Sequence, residues 1–303
     1  MSERLPVTQR SALLVPTDWT DYVLLDSGDG AKLERFGRYT LVRPESQAIW
    51  HRRLSAERWD LADARFEKGP DDTGAWIQRR PIADRWPMRY DGLDFWARLT
   101  SFRHTGVFPE QAVHWPWIRR LVETAGRPIR CLDLFAYTAI SSLAAAKAGA
   151  NVTYVDASRP AMNWARENAE ASGLTAAPVR WILDDAIKFV RREVRRGAKY
   201  DALIMDPPVF GRGPTGEIWR FYESVPLLLE ACRGLLSERP LLVLINAYAI
   251  DISSLTLANL LADLLDGRGG EIEAGDLALP RQGDDRLLAA GVYARWTGPG
   301  DAP

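Results

Sequence analysis

Residues 130–156, RCLDLFAYTAISSLAAAKAGANVTYVD, constrain the fold of this chain more than any other stretch. CLDLF reads as a short apolar strand. AISSLAAAKAGA reads as an Ala-rich helix ended at Gly149, the residue type that most easily takes the left-handed C-cap conformation. NVTYVD reads as the next strand. Together they form a βαβ unit, whose right-handed crossover sets the two strands parallel. Asp156 closes the second strand, 23 residues after Asp133. An acidic residue at that distance commonly accepts hydrogen bonds from a ribose diol.

The turn between strand and helix departs from the dinucleotide fingerprint. No Gly stands between Leu132 and Ala148. A pyrophosphate needs close approach to the backbone, so the turn argues against NAD or FAD. An adenosine cofactor without phosphates is less demanding, and S-adenosylmethionine (SAM) is the obvious one.

The 303 residues suffice for one large domain or two ordinary ones. No apolar run approaches the ~20 residues that span a bilayer. The N-terminal MSERLPVTQRSALL lacks a signal-peptide core, which places the protein in the cytoplasm. Two cysteines and three scattered histidines offer no metal-ligand cluster. A net charge of −1 argues against a free-standing non-specific nucleic-acid binder, but not against an enzyme with a local basic face. RRPIADR at 79–85, RR at 119–120 and RREVRR at 191–196 are candidates for such a face, although the last also suits the solvated side of a helix.

Residues 1–17 show no period and read as a poorly ordered lead-in. DYVLLDSGDGAKLERFGRYTLVRPES reads as a β-meander with turns at SGDG and FGRY. WPMRYDGLDFWARL reads as two more strands around Asp91 and Gly92. Eight of the twelve tryptophans precede residue 120. Aromatics in a small β domain can stack bases, and they can equally supply its core, the reading we favour. After a loop at HTGVFPEQ and an amphipathic helix interrupted early by Pro116, α/β alternation runs almost to the end. Ser158 and Pro160 open the second helix, and Asp184 and Asp185 the third. The fourth strand is YDALIMDPP. A helical stretch follows over about 216–236, with a break or kink predicted at Pro226. RPLLVLINAY is the fifth strand, and two more alternating strands form an edge hairpin.

The fourth strand ends in Asp206-Pro207-Pro208-Val209-Phe210. Ligands of open parallel sheets bind outside the carboxyl ends of the strands. A carboxylate and a backbone carbonyl beside N–H-less prolines can accept hydrogen bonds from an amino group and aim its lone pair at an electrophile. Phe210 could stack on a planar base. A Pro-rich turn with Asp as a helix cap is the plainer alternative.

DLFAYTA, VDAS, LDDA and DPPVF, in this order and spacing, resemble the motifs of class I SAM-dependent methyltransferases. With FRHTGVFPEQ ahead of the first strand, the wording is similar to the large-subunit ribosomal RNA methyltransferase family, whose members make 5-methylcytidine or 7-methylguanosine. The resemblance covers about residues 95–295. It implies a Rossmann-like seven-stranded sheet, mostly parallel with an antiparallel edge hairpin, over residues 96–303. A small β-rich domain would occupy residues 1–95. By resemblance, Asp133, Phe135 and Tyr137 line the methionine end of SAM, and Asp156 holds the ribose. Asp185, with Asp184 beside it, meets the adenine amino group, with Ala157 and Ile187 on the ring. Asp206 and Pro207 face the methyl group and acceptor, and Phe108 and Gln111 close over the cofactor.

Three departures qualify the resemblance. Ala139 stands where the family has Gly. Gln111-Ala112 follow Pro109-Glu110 where a basic residue is usual. The position of the nucleophilic Cys in cytosine-C5 enzymes reads Ile245-Asn246-Ala247-Tyr248, which rejects 5-methylcytosine formation, because C5 needs a covalent adduct. An RNA-base nitrogen, ribosomal by resemblance, is the leading acceptor, with Asn246 and Tyr248 near it. A small-molecule N- or O-methyltransferase and a non-catalytic SAM-binding protein are the alternatives.

Overall fold

A computed structural model describes residues 8–69 and 74–299. The chain divides into two compact units, one of Val15–Val113 with Leu277–Ala290, the other of Met1–Leu14, His114–Asp276 and Gly291–Pro303. Among the described residues, no helix is long and apolar enough to cross a membrane.

The described residues open with strand β1 (Thr8–Leu14), within the stretch whose lack of period predicts a poorly ordered lead-in. It forms the edge of the large sheet beside the strand Glu271–Pro280. The Thr8 N–H donates to the Gly270 carbonyl at 3.2 Å, and the Arg10 guanidinium pairs with Glu271 and Glu273. A Cβ on Gly275 would overlap the Ala12 carbonyl oxygen, so Gly275 gives β1 room to dock. An edge strand with its first four residues exposed needs no hydrophobic alternation, which is why TQRSALL gave no signal. Residues 1–7 of the expected lead-in lie outside the described residues.

The β-rich unit begins with the expected meander, β2 (Tyr22–Gly28), β3 (Ala31–Phe36) and β4 (Tyr39–Pro44). Helix α1 (Ala56–Asp60) leads to β5 (Ala64–Lys68), parallel to β4, and β6 (Gly74–Gln78) completes a five-stranded sheet. β7 (Trp86–Tyr90) and β8 (Leu93–Ala97) form a separate hairpin. Two of the tight turns use an Asp-Gly pair with positive φ at each residue, 50° and 74° at Asp29 and Gly30, 49° and 74° at Asp91 and Gly92. That is the backbone of a type I′ turn, whose twist suits a hairpin.

Trp19, Trp59 and Trp86 are buried, as the core reading of the aromatics requires. Two carboxylates are buried with them. Asp26 accepts from the Arg53 and Leu54 N–H groups, from Trp59 Nε1 and from Arg281 Nε, all at 2.8–3.0 Å. Glu34 takes both Arg43 Nε and Nη2, at 2.7 and 2.8 Å, and the Tyr22 hydroxyl. Such charges stay ionised inside a small sheet only when their lone pairs are filled this completely.

The second unit starts at α2 (His114–Thr124), after a 3₁₀ turn over Pro109–Val113. Pro116 lies in the first turn of α2, where its missing N–H costs nothing, so it starts the helix instead of interrupting it. Then come β9 (Arg130–Leu134), α3 (Ile140–Lys147), β10 (Asn151–Asp156), α4 (Arg159–Ala171), β11 (Val179–Leu183), α5 (Ala186–Arg195) and β12 (Ala202–Met205). A short hairpin follows, β13 (Phe210–Arg212) and β14 (Ile218–Arg220), and β14 occupies the start of the expected long helix, which as α6 spans only Phe221–Arg233. Pro226 does not break α6. Pro226 and Tyr222 are both exposed, so water can serve the Tyr222 carbonyl that lost its N–H partner. β15 (Leu242–Ala247), α7 (Ser254–Leu264), β16 (Glu271–Pro280) and β17 (Leu287–Thr297) finish the chain.

The sheet order is β1-β16-β17-β15-β12-β9-β10-β11. The expected seven strands are all present: five parallel from β11 to β15, then β17 antiparallel to β15 and β16 beside it. β1 adds an eighth. Alternate residues face opposite layers. Leu132, Leu203, Met205 and Val243 pack with α5, α6 and α7, while Cys131, Ala202, Ile204 and Leu242 pack with α2 and α3.

The turn from β9 to α3 has an unusual backbone. Phe135, Tyr137 and Ala139 have φ of 59°, 46° and 68°, a left-handed conformation at alternating positions with no Gly among them. Each costs about 1–2 kcal/mol relative to the right-handed form. Ala139→Gly would release one of these strains while giving back a methyl contact and some unfolded-chain entropy, so we expect a net change within about 0.5 kcal/mol. Ala144→Gly, inside α3, is expected to cost about 1 kcal/mol or more. Chemical denaturation of the two variants checks this, and equal destabilisation would show the turn to be unstrained.

Candidate active site

The strained turn is held by its neighbours. Asp156, the last residue of β10, accepts from the Tyr137 N–H through Oδ2 at 2.9 Å and from the Ser158 N–H through Oδ1 at 2.7 Å. The Tyr154 hydroxyl donates to the Tyr137 carbonyl at 2.7 Å, and Asn168 Nδ2 to the Thr138 carbonyl at 2.9 Å. The Ala136 N–H reaches the Val155 carbonyl at 3.2 Å. The turn is thus an extension of β10 and α4 as much as of its own strand.

Asp133 lies in β9, 2% exposed, and accepts from the Ser142 hydroxyl of α3 at 2.6 Å. Burial pushes its carboxyl up to about 7. The Ser142 hydrogen bond opposes that rise, and the negative charges of Asp206 and Asp156 reinforce it. Burial also raises Asp156, against the pull of the Ser158, Tyr137 and Ala157 N–H groups. Asp206 follows β12 directly, and its N–H bonds to the Leu134 carbonyl at 3.3 Å. β10, β9 and β12 are adjacent, with Leu134 opposite both Val155 and Met205. Their carboxyl ends therefore present Asp156 and Asp206 on either side of the turn, two strand spacings or about 10 Å apart. Together with the buried Asp133 they put negative charge on the carboxyl edge of the sheet, which favours a cationic ligand there.

Asp184 is spent on structure. It accepts from the Asp185 N–H at 2.9 Å and from Arg192 Nη1 at 2.6 Å, and its own N–H donates to the Asp156 carbonyl at 3.1 Å. Asp185 caps α5 by accepting from the Lys188 N–H at 2.9 Å. Ala157 and Ile187 are half-buried after β10 and at the start of α5. Pro207 is buried and Phe210 is 54% exposed on β13. Asn246 is buried near the end of β15 against the His114 ring, and Tyr248 is half-buried. Phe108 and Gln111 belong to the β-rich unit, just before the 3₁₀ turn and on it respectively; Gln111 is buried there. The remaining expected site residues belong to the sheet unit, at or just beyond the carboxyl ends of its strands.

Sequence reasoning missed four residues that build this edge: Ser142, Tyr154, Asn168 and Trp219. Ser142 and Asn168 are buried polar residues on helices, a feature that shows only once burial is known. Trp219 lies in the stretch read as helix. It is buried, donates from Nε1 to the Pro208 carbonyl at 2.7 Å, and packs edge-on against Phe135 with ring centroids 4.6 Å apart. One indole thereby joins the strained turn to the Asp206-Pro207-Pro208 segment.

Comparison with known proteins fits this geometry. A family model described as S-adenosylmethionine-dependent methyltransferase matches residues 30–256. Ribosomal RNA large subunit methyltransferase I of Aeromonas salmonicida is 30% identical over 179 residues, 59% of this chain and 41% of that protein. Ribosomal RNA large subunit methyltransferase K/L of Cellvibrio japonicus is 28% identical over 237 residues, 76% of this chain and 29% of that protein. The chain thus spans less than half the length of either relative. A SAM-dependent methyltransferase from Agrobacterium tumefaciens superposes with a TM-score of 0.93 at 43% identity, covering 98% of this chain and 96% of that one. A nest of carboxylates at the switch point of a doubly wound sheet suits a sulfonium cofactor, and with most of its length matched by the family model this chain belongs to the S-adenosylmethionine-dependent methyltransferases, enzymes whose cofactor is SAM.

Proposed function

We propose that this enzyme methylates a nitrogen of an RNA base, ribosomal by its resemblance to the relatives above, without a covalent enzyme adduct. The observation that carries the reading is the convergence of Asp133, Asp156 and Asp206 around one strained turn. When bound, SAM supplies an electrophilic methyl group on a cationic sulfur. Asp156 would hold the ribose hydroxyls, with one lone pair on each oxygen already filled by backbone N–H groups that fix its orientation. Asp185 would meet the adenine amino group, with Ala157 and Ile187 on either side of the ring. Asp133, Phe135 and Tyr137 would line the methionine end, where an anionic Asp133 complements the amino group and sulfonium.

Asp206 and the backbone carbonyl of Pro207 would receive the N–H groups of the acceptor and turn its lone pair towards the methyl. Phe210 would stack on the base. Positioning of this kind supplies much of the rate of an in-line displacement. The acceptor nitrogen becomes acidic only as its bond to carbon forms, and Asp206 can then accept the proton. A C5 acceptor is disfavoured by the cysteines themselves. Cys131 and Cys232 are buried, and burial pushes both thiols up, that of Cys232 to about 12, so neither offers a thiolate.

The charge state of Asp133 makes SAM binding pH-dependent. A cation favours its ionised form, so SAM affinity should rise as pH increases from 5 to about 7 and then level off. The same raised pKa acts on stability. The protonated carboxyl's contribution is fully present below the unfolded value near 4 and is lost as pH rises through about 7. Asp133→Asn is therefore expected to flatten the pH profile of SAM binding, weaken binding at pH 8 at least about 10-fold, and stabilise the free protein there by about 2 kcal/mol. Calorimetry and denaturation across pH 5–8 check both. A variant as pH-dependent as the wild type would contradict the assignment.

Transfer of labelled methyl from SAM to ribosomal RNA from a strain lacking this gene tests the substrate. Label is expected in the large-subunit RNA, lost by a factor of about 100 or more with Asp206→Ala while SAM affinity stays within a few-fold. Label confined to small molecules would overturn the RNA reading.

A further inference from the structure

The hairpin β13–β14 starts three residues after Pro207 and is not accounted for by cofactor binding. Its register pairs Phe210 with Arg220, Gly211 with Trp219, and Arg212 with Ile218. Strand alternation puts Gly211 and Trp219 on one face and the other four on the opposite face. Trp219 is 4% exposed and turned inward, bonded to the Pro208 carbonyl and packed on Phe135. Phe210 and Ile218 are 54% and 56% exposed, and both arginines are exposed. Each apolar side chain on this outer face therefore has an arginine directly across the ladder.

Charge on the hairpin is one-sided. Its single carboxylate, Glu217 at the tip, is bound by Lys188 of α5 and by Thr215. Arg212 has no ion pair among the described residues. Among the described residues, Arg220 pairs only with the exposed Glu223, at 3.5 Å, a contact that solvent screens. Val209 and Tyr222, just before β13 and just after β14, are also exposed. Exposed apolar and aromatic side chains interleaved with arginines are what a single-stranded nucleic acid requires: faces for its bases and cations for its phosphates.

We propose that the outer face of this hairpin, through Arg212, Ile218 and Arg220 and continuing from Phe210 on the target base, binds the single-stranded RNA that flanks the target nucleotide. The inference rests on RNA as the acceptor and adds where the enzyme grips it. The indole of Trp219 fixes the hairpin to both the cofactor turn and the acceptor segment, so a strand held on the outer face leads to Asp206. The target then has to be unpaired or flipped out of its helix.

The test is fluorescence anisotropy of a labelled, mixed-sequence 12-nucleotide RNA with the full-length protein, alongside methyl transfer to ribosomal RNA. Arg212→Ala/Arg220→Ala is compared with Arg191→Ala/Arg195→Ala on α5, a basic pair of equal size elsewhere. The hairpin pair should weaken RNA binding at least about 10-fold and lower the slope of log Kd against log salt by about 1.4, two phosphates' worth. It should also raise KM for RNA with SAM affinity unchanged. The α5 pair should change RNA affinity less than about 2-fold. Wild-type methylation of RNA with an unaltered Kd and KM in the hairpin pair would overturn this inference and leave the RNA reading standing. A wild type that neither binds nor methylates RNA would overturn both.

Discussion

The carboxylate of Asp156 is the interaction on which the catalytic edge depends. One oxygen takes the Tyr137 N–H and the other the Ser158 N–H. The first bond holds a turn in which three non-glycine residues adopt left-handed backbone, and the second starts helix α4 through its N-cap residue. Without such tethers the turn would relax towards ordinary backbone, at a gain of several kcal/mol. Tyr154 and Asn168 add to the same restraint from β10 and α4. The shape of the cofactor turn is therefore imposed by the next βα unit, where a glycine-rich loop would adopt it unaided.

Electrostatics follow from that restraint. The turn ends short and leaves the carboxyl ends of β10, β9 and β12 open, with an aspartate at or near each. Asp133 is too buried to ionise freely beside Asp156 and Asp206. The free enzyme thus carries a destabilised cluster of acids, which a cationic cofactor relieves. Sites of this kind trade folding stability for affinity, since the charge that the empty fold tolerates poorly is the charge the ligand needs.

Much of this was legible in the sequence, for identifiable reasons. The βαβ unit around Asp133 and Asp156 carries its own punctuation, Gly149 as a stop and Ser158 with Pro160 as a start. The two Asp-Gly hairpins and the Asp206-Pro207-Pro208 strand end were equally local. What was illegible depended on partners far along the chain or on weak local signals. TQRSALL is a strand only because Gly275 leaves room for it. Asp26 is tolerable in the core because Arg281, 255 residues later, reaches it. FGR and IWR are too short to show strand periodicity, and IWR falls inside the stretch read as helix from about Gly216. The positive φ of Phe135 and Tyr137 had no signal, because no glycine announces it, and Ala139 was marked only by the Gly that the family carries at its position.

The most direct measurement is a crystal structure of the protein with S-adenosylhomocysteine, the product form of the cofactor. The account predicts ribose hydroxyls on Asp156, the adenine amino group at Asp185, the amino-acid amine against Asp133, and the thioether sulfur facing Asp206 and Pro207. A ribose that does not touch Asp156, or a sulfur turned away from Asp206, would contradict it.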